Sequence, residues 1–338
     1  MKSNLLAKPS FLLNMITART YSIADDSEPR FLLFPWRLLL LVLALGLTGT
    51  THAAPAGKIY SNPEQAVAAL RNAVTAKDTN ALGVIFGTLT DLQNPDRVQA
   101  ENDLEKFSAA LIATNHLVRI SDTNLILEVG NDLWPFPIPI VKQGDGWSFD
   151  AAAGREEIVN RRIGRNELSV LAVMRAYVEA QREYASKDRD GDGVLEYAQK
   201  MASSPGKTDG LYWPVELNGE MSPLGPLAAD ARVEGYRLKK ASNSPSGPQP
   251  FHGYFFKILT RQGKHAPGGA YDYIINGNMI GGFAMVAWPV EYGDSGVMTF
   301  IVNQQGRVYQ KDLGTTTSRM VEKMKAYDPD STWKLSPD

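Results

Sequence analysis

The chain has 338 residues, with 35 Lys and Arg against 37 Asp and Glu and a net charge of −2. This balance excludes the strongly basic surface that is typical of nucleic-acid-binding proteins. The absence of cysteine excludes disulfides, thiolate metal sites, iron–sulfur clusters, covalently attached c-type haem and a cysteine nucleophile.

The first predicted element is a secretory signal at residues 1–53. A basic residue, Arg37, precedes the apolar run Leu38–Leu47, and small residues follow it. The run has about half of the roughly 20 apolar residues needed to cross a bilayer, so a cleaved signal is favoured over a retained membrane anchor. Met15 is an alternative start that would shorten the segment before the run.

The small residues after this run predict where the signal is removed. Cleavage near Ala53 would leave about 285 residues that begin at Ala54 or Pro55, which is enough for two domains with cores of their own. The protein is therefore expected to be periplasmic or secreted, with a signal that engages the membrane transiently.

Residues 60–150 are predicted to form an α+β domain, because segments with helical spacing precede segments with strand-like patterns. The first helix is expected to be capped by Ser61 or Asn62, with Pro63 at its first position. The other expected elements are helices at 80–86 and 101–113, strands at 117–120 and 124–129, a Pro-broken edge strand at 136–141 and a last strand at 147–149. This order resembles nuclear transport factor 2-like domains.

A charged connection, residues 151–164, follows and merges into a helix that is predicted to reach Ala185. Gly164 should weaken this helix. Its charges indicate either a solvated face with ion pairs four residues apart or a salt-bridged joint between two domains.

Residues 165–315 are predicted to form a second α+β domain, in which the long helix is followed by an antiparallel sheet. A Pro-rich loop is expected at 245–250, a tail at 316–338, and strands at 254–259, 279–289, 297–302 and 307–311.

Several motifs of the chain resemble those of the bacterial DUF2950 family. They are RRIGRNE at 161–167, AQREYA at 180–185, DGLYWP at 209–214, YDYIINGNMIGGFA at 271–284, WPVEYGDSGVMTF at 288–300 and QKDLG at 310–314. The resemblance covers about Ser61 to Thr315. It implies an exported bacterial protein of a family with no established activity, and it supplies no catalytic residues.

The second half alone also resembles the globular domains of type II secretion pseudopilins. The similarity lies in the long helix, a Gly235-Tyr236 strand and a final strand that contains Ser295-Gly296. Pilins carry this helix at the N-terminus, whereas about a hundred mature residues precede it here. The resemblance therefore implies a pilin-like sheet used for another purpose than filament assembly.

The segment from Asp188 to Glu196, DRDGDGVLE, is the best candidate metal site. Carboxylates on alternate positions followed by glycine are typical of the first half of an EF-hand loop, and Ca²⁺ prefers such oxygen ligands. Asp188, Asp190, Asp192 and Glu196 are the candidate ligands. Position 12 of the loop is Gln199 instead of Glu, so a simple Asp/Gly turn at the helix end is the alternative.

No catalytic residues are predicted. His116, His252 and His265 do not stand at metal-ligand spacings, although His252 and His265 flank one strand and could converge at its end. Gly293-Asp294-Ser295-Gly296 has the letters of a serine-protease loop, but a β-turn before a strand is favoured.

A concentration of aromatic residues could form a ligand groove, because Tyr and Trp combine apolar area with a polar group. The candidates are Tyr212, Trp213, Tyr271, Trp288 and Tyr292, with a buried aromatic core as the alternative. We therefore predict a non-enzymatic binding or scaffold protein of the cell envelope, whose partner is an envelope protein, a peptide or a glycan. The alternatives are an envelope hydrolase and a secretion or assembly factor.

Overall fold

The computed structural model describes residues 57–87, 94–217, 219–234, 236 and 250–337. The predicted signal at 1–53 with the alternative start Met15, the expected N-termini Ala54 and Pro55, and residues 245–249 of the Pro-rich loop lie outside these ranges. In the part of the chain that is described, no helix is long and apolar enough to span a membrane.

The first third of the described chain contains three helices that pack on a small sheet. The helices are α1 (Pro63–Thr75), α2 (Thr79–Phe86) and α3 (Arg97–Ala113). The predicted cap of α1 is confirmed, since the Asn62 side chain accepts a hydrogen bond from the Gln65 amide at 2.9 Å. Helix α3 begins four residues earlier than predicted, because Asp96 caps it by accepting from the Gln99 amide at 3.1 Å.

The first sheet is antiparallel and has the order β1-β2-β4-β5, with β3 paired to the other end of β2. Its strands are β1 (Asn115–Ser121), β2 (Asn124–Val129), β3 (Trp134–Pro135), β4 (Ile140–Gln143) and β5 (Gly146–Phe149). The predicted edge strand at 136–141 is wrong. Pro137 and Pro139 interrupt it, and β4 begins after them in an interior position, paired with both β2 and β5.

Helix α4 (Ala151–Tyr184) is continuous through the predicted charged connection and through Gly164. At its start, Ala151 and Ile158 pack against the core of the first sheet. At its end, Val170, Met174 and Tyr177 are buried in a second core. One helix therefore contributes to both cores.

The second core lies under an antiparallel sheet of order β15-β13-β12-β11-β6. The elements of this half are α5 (Gly225–Val233), β6 (Tyr254–Leu259), β7 (Arg261–Gln262), β8 (Tyr271–Asp272), β9 (Ile274–Ile275), β10 (Asn278–Met279), β11 (Ala284–Pro289), β12 (Met298–Asn303), β13 (Tyr309–Asp312), α6 (Thr317–Lys323), β14 (Ala326–Tyr327) and β15 (Lys334–Leu335). Helix α4 packs on β12 and α6 packs on β11.

Two features of this half differ from the sequence-based predictions. The strand predicted at 279–289 is divided into β10 and β11, because Gly282 has a φ of 144° and the backbone of Gly281 passes close to that of Asp272. Residues 316–337 of the predicted tail form α6, β14 and β15, and they bury Val321 and Tyr327 in the second core.

The combination of six helices with antiparallel sheets, in the residues described, confirms the predicted α+β class. A short parallel pair, β14 with β7, joins the C-terminal segment to the second half. Tyr236, the described residue of the predicted Gly235-Tyr236 strand, is buried but belongs to no strand.

Candidate functional site

A cavity of about 1300 Å³ lies between the start of α3, the middle of α4, helix α5 and the segment 201–207. Small-molecule sites are typically clefts of roughly 300–1,000 Å³, so this cavity has room for a sizeable ligand. It is the strongest candidate binding site in the described part of the chain.

The floor of the cavity is apolar. It contains buried side chains of α4 and α5 and half-buried side chains of neighbouring segments. These residues are Val173, Met201, Leu224, Leu227, Ala228, Phe251 and Phe256. An apolar lining with a few polar groups is typical of a site that holds an apolar ligand or part of one.

Asp96 fixes the wall of the cavity where α3 begins. Its side chain is buried and, besides capping α3, accepts hydrogen bonds from the Tyr236 hydroxyl at 2.6 Å and the Gly253 amide at 3.3 Å. Burial, with this bond to Asp96, raises the pKa of Tyr236, so the phenol stays protonated and keeps donating. The carboxylate therefore joins three segments that meet at the cavity.

His252 and Glu234 lie behind this wall, with the His252 ring 5.5 Å from that of Tyr236. Their side chains approach to 3.2 Å between Nε2 and Oε2. Burial lowers the pKa of His252 to about 4 and raises that of Glu234, so the imidazole is uncharged at neutral pH and the pair is not an ion pair there. His252 has a φ of 48°, a conformation that is uncommon outside glycine.

Asp209 lies just after the segment 201–207 and fixes it by hydrogen bonds. Its carboxylate accepts hydrogen bonds from Lys200 Nζ at 2.7 Å, the Ser204 amide at 2.7 Å and the Ser204 hydroxyl at 2.9 Å. Partial burial alone would raise the pKa of Asp209, but these bonds outweigh it and lower the pKa to about 2. The carboxylate thus fixes Ser204, which lines the cavity together with Ser203 and Lys207.

A polar seam on α4, made of Arg162, Arg165, Asn166 and Glu167, holds the two halves of the molecule together beside the cavity. Buried Asn166 accepts from Gln99 Nε2 and donates to the Ser295 carbonyl, both at 2.9 Å. The other three residues of the seam flank these bonds. Arg162 donates to Asp294 at 2.6 Å, and Arg165 donates to Asp103 at 2.8 and 2.7 Å. Glu167 accepts from the amides of Val297 and Met298, both at 2.9 Å.

The charged start of α4 is predicted to be either a solvated face with ion pairs or a salt-bridged joint between domains, and the structure contains contacts of both kinds. An ion pair four residues apart joins Arg161 to Glu157 at 2.6 Å on the helix surface. The polar seam provides the cross-connections of a salt-bridged joint.

The predicted metal-binding segment leaves α4 as an exposed loop. Asp188, Asp190 and Asp192 each present a carboxylate oxygen within 4.8 Å of the others. The Asp188 carboxylate accepts from the amides of Gly191 and Gly193 at 2.8 and 2.9 Å, which lowers its pKa. Glu196 lies outside this group of three, since its carboxylate accepts from the Met279 amide at 3.0 Å.

The five candidate groove aromatics have different surroundings. Tyr212 lines the cavity, and Arg232 donates to its hydroxyl. Trp213 is buried, with its indole N–H donating to the Glu220 carbonyl at 3.2 Å, so it presents no surface to a ligand. Tyr271 packs on Tyr273, Trp288 on Phe255, and the Tyr292 hydroxyl donates to Asp312 at 3.1 Å.

The serine and the histidines considered from the sequence contact other groups of the protein. Buried Ser295 donates its hydroxyl to the Glu291 carbonyl at 3.1 Å and accepts from the Glu291 amide at 2.9 Å, within a turn. His116 contacts Thr114 at 3.1 Å, and His265 contacts Asp328 at 3.0 Å. His252 and His265 thus have different partners.

Sequence reasoning missed most of the cavity. Its lining comes from segments around 95–101, 201–207, 224–232 and 250–256, which only tertiary folding brings together. One local signal was available: Asp96 stands directly before a segment with helical spacing, which is typical of a helix cap.

Comparison with protein families identifies a match over most of the described chain. A family model described as "Protein of unknown function (DUF2950)" matches residues 57–335. No curated protein and no solved structure matches the chain, so the likeness to pseudopilins and to nuclear transport factor 2-like domains stays unconfirmed.

Proposed function

Since the chain belongs to the DUF2950 family, whose description states no function, we propose from its own geometry that it is a non-enzymatic binding protein of the cell envelope. The observation that carries this proposal is the cavity of about 1300 Å³ with its apolar floor. A ligand with apolar surface suits this floor best, because it removes that surface from water.

Two further observations favour binding over catalysis. The hydroxyl of Ser295 is used in a turn, so it is not presented as a nucleophile. The carboxylate of Asp96 makes three hydrogen bonds that hold the cavity wall, which is a positioning role. The candidate groove aromatics predict a peptide or a glycan as the ligand. This stays a prediction, because of the five aromatics it is Tyr212 alone that stands in the cavity lining.

Binding can be tested with Nile red, a neutral probe that fluoresces in apolar surroundings. We expect saturable binding of one probe per chain of the purified full-length protein. Ala228→Trp and Leu227→Trp each place a larger side chain in the cavity lining and should weaken binding at least about tenfold, whereas Ala109→Trp on the exposed face of α3 should not. Absence of binding, or equal binding by all four proteins, would overturn the proposal.

The envelope location rests on the secretory signal in the sequence. We expect cell fractionation to place the protein outside the cytoplasm, and N-terminal sequencing of that material to begin at Ala54 or Pro55. A chain that keeps its leader, whether in the cytosol or in the membrane fraction, would contradict a cleaved signal.

A further inference from the structure

Three cationic side chains border the cavity. Arg97 stands at the start of α3, Lys207 in the segment 201–207 and Arg232 near the end of α5, and all three are exposed. Within the described ranges, no carboxylate forms an ion pair with any of them. Their charges are therefore not neutralised by a described carboxylate, although the chain as a whole has a net charge of −2.

The acidic groups of the lining do not cancel these charges. Glu101 is the exposed carboxylate among the described lining residues, against three cations. Asp96 is buried, and both of its oxygens accept hydrogen bonds within the protein. The described residues of the cavity border thus carry an excess of positive charge.

Arg232 is oriented for a further contact. Its guanidinium lies 5.5 Å from the centre of the Tyr212 ring, and one of its nitrogens donates to the Tyr212 hydroxyl. A guanidinium has five N–H donors, so others stay available for an anion. Tyr212 and Arg232 together form a polar end beside the apolar floor.

We propose that the cavity binds a single-chain amphiphile with an anionic head group, such as a long-chain carboxylate. The apolar chain lies on the floor formed by Leu224, Leu227 and Phe256, and the head group lies at the border that carries Arg97, Lys207 and Arg232. This inference rests on the proposed function, and it adds the charge and the chemical class of the ligand. Charge complementarity supports it, because a cation that gains an anionic partner forms a stronger hydrogen bond than a neutral pair does.

The test compares three competitors that displace Nile red: dodecanoate, dodecanol and dodecyltrimethylammonium, each used below its micelle concentration. Wild-type protein should bind dodecanoate at least about tenfold more tightly than dodecanol, and the cationic competitor most weakly, since one favourable charge contact is worth about this factor. In the double variant Arg97→Gln/Lys207→Gln, the ratio of the dodecanoate affinity to the dodecanol affinity should fall at least about fivefold.

The matched control is Arg119→Gln/Lys142→Gln, which removes one Arg and one Lys from exposed positions of the first sheet. It should leave the ratio unchanged, and an equal fall in both double variants would overturn the inference. Saturable Nile red binding without a preference for dodecanoate would overturn this inference alone. Failure of Nile red itself to bind would overturn the proposed function.

Discussion

Three carboxylates that lie within 4.8 Å of one another repel each other unless a cation neutralises them, and Asp188, Asp190 and Asp192 are held in that arrangement after α4. We therefore expect Ca²⁺ to raise the melting temperature relative to a chelator. At a hundredfold excess over Kd the gain is about 2.7 kcal/mol, which corresponds to roughly 5 °C in a protein of this size. Differential scanning fluorimetry measures this.

The double variant Asp190→Asn/Asp192→Asn should lose the calcium-dependent shift, because two of the three anionic ligands are gone. Asp145→Asn, in the exposed turn between β4 and β5, is the matched control and should keep it. Equal melting temperatures of the wild type in calcium and in chelator would favour the alternative, an Asp/Gly turn without a metal.

Asp209 offers a prediction about pH. Its folded-state pKa of about 2 lies below the ordinary value of 3.8, so the carboxylate stabilises the fold above pH 3.8 and loses this effect as the pH falls towards 2. Because the side chain is 31% exposed, we expect Asp209→Asn to lower the free energy of unfolding by only about 1 kcal/mol at pH 7. Urea unfolding measures this loss, which should become smaller at pH 3.

The control for Asp209 is Asp122→Asn. Asp122 is fully exposed and lies 3.9 Å from Arg119, so its replacement should change stability little at either pH. A loss for Asp209→Asn that is the same at pH 7 and pH 3 would mean that the charge of Asp209 does not stabilise segment 201–207.

At the scale of elements, the polar seam joins α4 to α3 and to the turn before β12. Asn166→Leu keeps a similar volume but leaves the Gln99 amide and the Ser295 carbonyl without their buried partner. We expect a loss of about 2–3 kcal/mol in the free energy of unfolding by urea. Asn160→Leu, on the exposed face of the same helix, should stay within about 0.5 kcal/mol of wild type, and equal losses would contradict the role of the seam.

Gly164 is a second test of α4. A Cβ added there would meet nothing within 4 Å, and the residue is exposed in the middle of a 34-residue helix. Gly164→Ala should therefore raise the free energy of unfolding by about 1 kcal/mol, because alanine is the better helix former. Thermal and urea unfolding would both register this, and a destabilised Ala variant would show that glycine is needed at this position.

Sequence patterns located an element correctly where all local signals, such as a cap and the residue periodicity, favoured the same structure. Helix α1 has an Asn cap and a proline at its first position, and the pattern of β6 agrees with the structure at both ends. The patterns failed where two local signals favoured different structures. The apolar run from Met279 to Pro289 has strand periodicity, but Gly281 and Gly282 bend the chain between β10 and β11.

The candidate site was less accessible to sequence reasoning than the fold. The acidic loop is local, so the spacing was enough to predict that the carboxylates of Asp188, Asp190 and Asp192 lie close together. The cavity depends on contacts between segments more than a hundred residues apart, such as the bond from Tyr236 to Asp96, and no local pattern encodes them. For the same reason, the burial of Trp213 could not be distinguished from exposure in a groove.

For the whole molecule, the question is whether the two cores unfold together. Helix α4 contributes Ile158 to one core and Val170 to the other, and the polar seam adds cross-connections between them. We expect one calorimetric transition for residues 57–337, with a van't Hoff enthalpy close to the calorimetric enthalpy. Two separate transitions in the wild type would contradict this coupling.

The same coupling predicts the effect of breaking the helix between the cores. Gly164→Pro removes a backbone hydrogen bond and places a ring against the preceding turn, at a cost of about 3 kcal/mol. Because this break lies between Ile158 and Val170, we expect it to separate the single calorimetric transition into two, whereas Gly164→Ala should keep one transition at a higher temperature. A Pro variant that melts in one step would mean that the polar seam and the sheet contacts couple the cores without a continuous α4.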